Sequence, residues 1–195
     1  MTSTLIRVTF FTVAIFVGFS EVAHTQVKFA SWLDNSKPVS WNKSGQPVPA
    51  APRVQGSTDP RCRDLARPAE LPEDKRLQEQ GRDLVGAYQG GWRILVIQGT
   101  ASYDGMCRPR QYQEFVFVRG VFAGTLSPQA MNSRTDGALS RVYLLNNSRL
   151  IAEYARYDAT DPLCCPSRTT RVEFEIASDG PVVRSLSAST SLNKQ

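Results

Sequence analysis

Glu114-Phe115-Val116-Phe117-Val118-Arg119-Gly120-Val121-Phe122-Ala123-Gly124-Thr125 is the stretch from which the fold is read. Two runs of aromatic and β-branched residues flank an Arg-Gly pair, a pattern that favours strand, turn and strand over helix. Tyr112 to Val118 and Val121 to Leu126 are the two strands so implied. Upstream, Trp92 to Gln98 forms another, and its Ile94-Leu95-Val96-Ile97 run implies burial on both faces. Downstream, Leu139 to Leu145 and Arg149 to Tyr154 are joined by Asn146-Asn147-Ser148, residues that tolerate positive φ in a tight hairpin. Thr169 to Ala177 alternates with period two, and Asp179-Gly180 turns it back into Val182 to Leu186. After Ser187 the chain is polar, and a frayed tail is expected.

Before the strands, Pro72 to Tyr88 reads as the one helix. Pro72 suits its first position, Glu73 and Asp74 its first turn, and Gly90-Gly91 its end. Leu77, Leu84, Val85 and Tyr88 share a face, with Gly81 on the same stripe. The expected class is therefore α+β: one N-terminal helix packed on a curled antiparallel sheet of about six to seven strands, crosslinked by disulfides. A small closed barrel plugged by the helix is the alternative. The expected organisation is a signal peptide over residues 1–25, a Pro/Ser-rich arm over 26–70, one domain over 71–190 and a tail over 191–195. Trp32 and Trp41 are out of place in a linker: either the arm packs back onto the domain, the favoured reading, or they form an exposed anchor for a surface or partner.

With 41% hydrophobic residues the chain has material for a core. The net charge of +5 is carried by scattered arginines, which argues against a nucleic-acid partner. Arg7, the apolar run Val8 to Phe19 and Ala23-His24-Thr25 have the layout of a cleaved export signal. That run is too short for a membrane span, so no stable span is expected after cleavage. His24 is the only histidine, and cleavage would remove it, leaving no imidazole for a catalytic triad or a metal. Ser127 and Ser133 then lack a base, since Lys28, Lys37, Lys43, Lys75 and Lys194 all lie in arm, helix start or tail.

Cys62, Cys107, Cys164 and Cys165 make an even set, which in an oxidising compartment implies disulfides. A ring between neighbours is strained, so the expected pairs join Cys107 to one of the doublet and Cys62 to the other. A redox or soft-metal site is the rival reading, and it lacks the usual Cys-x-x-Cys spacing.

Trp92, Asp104-Gly105-Met106-Cys107, the Phe115 to Val118 strand and Phe122-Ala123-Gly124-Thr125 form the first half of a fingerprint. Ser133-Arg134-Thr135-Asp136-Gly137, Tyr154-Ala155-Arg156-Tyr157 and Asp161-Pro162-Leu163-Cys164-Cys165-Pro166 form the second. Together they resemble the LppP/LprE lipoprotein family of bacterial exported proteins, its cyanobacterial-type members above all, over roughly Leu77 to Ala188. The resemblance implies export and transfers no catalytic residue. Many members are lipid-anchored through an N-terminal Cys that this sequence lacks, so periplasmic or secreted placement is expected.

Asp104, Asp158 and Asp161 lie beside the cysteines. If brought together they would suit calcium or paired-carboxylate glycoside cleavage, but such residues usually hold turns. Arg134 and Asp136 are the further candidates for a ligand or partner loop. The functional expectation is a non-catalytic binding or structural module of the envelope, with no cofactor and an unidentified envelope component or protein as partner. An inhibitor of an exported hydrolase such as lysozyme, presenting Ser127 to Gly137, is one alternative, and a carboxylate-based glycosidase is the other.

Overall fold

The computed structural model describes residues 31–35, 37–54, 59–177 and 180–193. The expected signal peptide and His24 lie outside them. A 3-10 turn (Trp32–Asp34) and α1 (Pro60–Arg63) precede α2 (Pro72–Glu79). Then follow β1 (Asp83–Gly91), β2 (Ile94–Thr100), β3 (Ser102–Tyr103), β4 (Pro109–Val118) and β5 (Val121–Thr125). The remaining strands are β6 (Met131–Asn132), β7 (Ala138–Leu144), β8 (Arg149–Arg156), β9 (Arg168–Ile176) and β10 (Val183–Leu192).

These strands make two antiparallel sheets, where a single curled sheet was expected. In the first, β4 is central: β2 and β3 pair along one edge, β5 and β6 along the other, and β1 lies outside β2. The second is the meander β7-β8-β9-β10. Tyr112 and Val116 of β4 face Ala152, Tyr154, Val172 and Phe174 of the second sheet in the main core. Phe115 and Phe117 face the other way, into a cluster with Leu84, Phe122, Leu77 of α2 and Val48 of the arm. A strand apolar on both faces needs cover on both, which accounts for the unbroken Phe-Val-Phe-Val run.

The expected seventeen-residue helix is two elements. α2 stops at Glu79, because Gly81 takes φ +78 and turns the chain back, and Asp83 onward pairs with β2. Leu77 and Leu84 do share a cluster, but as a helix residue resting on a strand residue. Helical and strand periods are indistinguishable over so few apolar positions. The tail expected to fray after Ser187 is the paired second half of β10, with Leu192 opposite Arg168. Main-chain hydrogen bonds hold it, and they leave no mark in side-chain polarity.

The two sheets approach at both edges, β7 beside β1 and β10 beside β5. The arm fills the second of these seams. Asn42, buried there, donates through Nδ2 to the carbonyls of Thr125 on β5 (2.9 Å) and Val183 on β10 (3.0 Å). Its Oδ1 accepts from the Thr125 amide at 2.9 Å. Gly124 is what lets this side chain in: a Cβ there would fall 2.2 Å from Asn42 Cγ. Trp32 stacks edge-on against Trp41 and Tyr154, and Trp41 against Phe174, so both indoles pack on the main core.

Cys62 bonds to Cys107 with Cα atoms 5.0 Å apart, and Cys164 to Cys165. The expected crossed pairing is thereby overturned. α1 presents Cys62 to the Asp104–Arg108 turn, whereas the doublet lies on the separate connection between β8 and β9. The arm's end is still pinned to the body, but through Cys107.

Candidate functional site

Of the acids singled out from the sequence, Asp104, Asp136 and Asp161 are each engaged by their own loop, and Asp158 pairs with Arg168 of β9 at 2.6 Å. Asp104 accepts from the amides of Met106 and Arg108, both at 2.9 Å, and from Arg108 Nε at 2.7 Å. Burial works against its charge, but these bonds and the Arg108 cation hold its pKa below the ordinary value. Asp136 accepts from the Asn132 amide at 2.7 Å. Asp161 accepts from the amides of Asp158 (2.7 Å) and Ser167 (2.9 Å), chiefly through which its pKa is lowered. Arg134 donates to the Asp161 carbonyl at 2.7 Å and lies 4.5 Å over the Tyr157 ring. Arg134 and Asp161 thus meet as a brace between two loops. Among the described residues no three acids, cysteines or histidines are grouped to hold a metal ion.

Two recesses carry the less ordinary chemistry, and neither was found from the sequence. The first has a volume of about 300 Å³ and lies beneath the arm, between Trp41, Asn42, Gln46, Gln113 and Gln129, with Arg82 in its wall. Arg82 is 2% exposed. Its guanidinium donates to three neutral acceptors: Gln111 O at 2.9 Å, Ala50 O at 3.1 Å and Gln113 Oε1 at 3.2 Å. It also sits 5.1 Å from the Phe115 ring centre. Its Nε–H is buried without an acceptor. Burial lowers its pKa to about 10, and no neighbouring carboxylate counters that. An arginine stays protonated even so, and an uncompensated buried charge is costly.

The second recess, about 160 Å³, opens at the seam between β1 and β7 and reaches Glu114 and Gln98. Glu114 is wholly buried; its carboxyl accepts from Tyr154 Oη at 3.3 Å and Gln98 Nε2 at 3.4 Å. Burial, only partly offset by these bonds, pushes its pKa up to about 7. Tyr112 lies in the same inward row and donates its hydroxyl to Gly137 O.

One of these was legible. Tyr112, Glu114 and Val116 share a parity, so once Val116 is assigned to the core a carboxyl must stand beside it. Arg82 gave no such signal, because the helical reading put it on a solvent face.

The only buried acids among the described residues are Asp74 and Glu114. Asp74 is held by a bidentate bond to Arg67 (2.6 and 2.7 Å) at the start of α2. α2 packs on the outer face of the first sheet, whereas Glu114 points into the sandwich, so the two carboxyls do not share a cleft.

Residues 91–179 match the family model of the LppP/LprE lipoprotein. The fingerprint read from Trp92 to Pro166 falls wholly inside that span, which is shorter than the extent expected from Leu77 to Ala188. The matched segment contains β2 to β9 and Glu114. The arm, α2, Arg82 and β10 lie outside it. No curated protein and no solved structure matches the chain. Among the described residues no helix is long and apolar enough to cross a membrane.

Proposed function

For a chain whose residues 91–179 carry the LppP/LprE lipoprotein match, we propose a non-catalytic binding module of the bacterial envelope, periplasmic or secreted. A lipoprotein family and the Cys62–Cys107 disulfide both suit an exported protein. One observation carries the binding reading. The acids placed for chemistry by the sequence are held within their own loops or by Arg168, while the arm lines a recess walled by a buried cation that forms no ion pair among the described residues. Concave sites with a few convergent polar groups are where small ligands bind.

The experiment is co-sedimentation of the purified protein with isolated cell-envelope fragments, with the supernatant assayed for released sugar and peptide. Retention on the fragments without release is expected. Release of soluble saccharide would overturn the non-catalytic reading, and no retention at any protein concentration would overturn binding.

A further inference from the structure

We propose that the recess beneath the arm is a binding site for the anionic head group of a small molecule, a carboxylate or a phosphate, held against Arg82. This deepens the binding-module reading and rests on it for the source of the ligand.

Arg82 presents a charge that its surroundings leave unmatched. Its acceptors are two peptide carbonyls and one amide, all neutral, and among the described residues it forms no ion pair. Its Nε–H has no acceptor at all. A hydrogen-bonded carbonyl softens the cost of burying a cation, but only an anion cancels the charge, and in a low-dielectric wall that interaction is strong.

The setting is built for this side chain. At Gly99 a Cβ would stand 3.2 Å from the Arg82 Cβ and 3.1 Å from the Phe115 ring, so the stem runs over a deliberate gap in β2. The guanidinium is then fixed between Phe115 on one side and the arm's Ala50 on the other. Beside it Trp41, Gln46, Gln113 and Gln129 also line the recess, one aromatic and three amide-bearing residues. That combination fits a molecule the size of a monosaccharide, with one acidic group and several hydroxyls. A guanidinium attracts carboxylate and phosphate alike, so the head group is common to an acidic sugar and to a phosphate ester.

The test is titration of the purified full chain, followed by the indole N–H resonance of Trp41, which donates to Thr125 O at 3.0 Å. Trp92, 72% exposed and absent from the recess wall, is the internal control. D-glucuronate, inorganic phosphate and D-glucose are the three probes. A saturable shift of Trp41 with one or both anions is expected, with Kd on the order of 1 mM or tighter. A response to glucuronate alone assigns a carboxylate, and a response to phosphate alone a phosphate ester. No saturable shift with either anion, or an equal response to glucose, overturns the site.

Arg82→Gln should weaken anion binding at least about tenfold, the loss expected for a charged hydrogen-bond partner. Arg82 also braces Gln111 and Ala50, so that variant risks misfolding. The wild-type titration repeated at high salt therefore serves as the second measurement. Weaker binding there supports the charge, and salt-independent binding overturns it. Failure of these titrations with intact co-sedimentation removes the Arg82 site and leaves the module. Success without co-sedimentation removes the envelope partner and leaves the site.

Discussion

Glu114 sits where a strand of the same parity would ordinarily place valine or leucine, and its protonation is tied to folding. Its carboxyl titrates near 7 in the folded protein against an ordinary value of 4.5. The folded state therefore holds the proton more tightly than the unfolded chain does. Below about pH 4.5 the group is protonated in both states and costs nothing. As pH rises towards 7 the unfolded chain releases the proton first, and stability falls until the penalty is complete above the folded value. The difference amounts to about 3 kcal/mol. Tyr154, Tyr112 and Gln98 surround the group, and the cleft itself is also lined by Arg141. Chemical denaturation of wild type and Glu114→Gln at pH 4.5, 6 and 7.5 should show the wild type losing stability relative to the variant across that window. Parallel curves would place the carboxyl in water. Asp34, Asp74, Asp104 and Asp161 all have lowered values, so they stay ionised throughout and leave the comparison undisturbed.

Among the elements, the two disulfides differ in what they can hold. Cys62–Cys107 closes a loop 45 residues apart in sequence and fastens α1 and the end of the arm to the turn before β4. Cys164–Cys165 joins neighbours and closes no loop of chain, so it removes almost no freedom from the unfolded state. Replacing Cys62 and Cys107 together by Ser should cost about 2–5 kcal/mol, whereas the same change at Cys164 and Cys165 should leave the melting temperature nearly unmoved. Calorimetry of the two double variants measures this, and equal losses would contradict the assigned roles. The same scale shows where a linear reading fails. Pro72, Glu73 and Asp74 marked the start of α2 correctly, because capping and charge at a helix end are local. Its end falls at Glu79, nine residues before Tyr88, and the apolar pattern does not mark it, because Leu84 belongs to the same apolar cluster whether its backbone is helical or extended.

For the whole molecule, Asn42 links the two sheets through the arm. Its four hydrogen bonds reach Thr125, Val183 and Gln46, and they occupy the seam that two antiparallel sheets leave open between β5 and β10. Asn42→Ala leaves the Thr125 amide and the Val183 carbonyl without their Asn42 partner in a buried place, while Trp41 still donates to the Thr125 carbonyl, with an expected loss of about 2–4 kcal/mol. Hydrogen exchange at the Thr125 amide should quicken in that variant well before global unfolding, and unchanged protection would show that the arm merely rests on the seam.

Sequence alone determined what depends on near neighbours. The hairpins around Arg119-Gly120 and Asn146-Asn147-Ser148, the start of α2, the turn-holding duty of Asp104 and Asp161, and the LppP/LprE fingerprint are all carried by residues a few positions apart. Turn chemistry and side-chain alternation act over that range. Tertiary structure decided the rest: the split into two sheets, the Cys62–Cys107 pairing, the arm as a seal, and the burial of Arg82 and Glu114. Each depends on residues far apart in sequence meeting in space, as when Asn42 meets Val183 or Arg82 meets Gln111. A side chain's charge is written in the sequence, but its dielectric surroundings exist only once distant segments have closed around it.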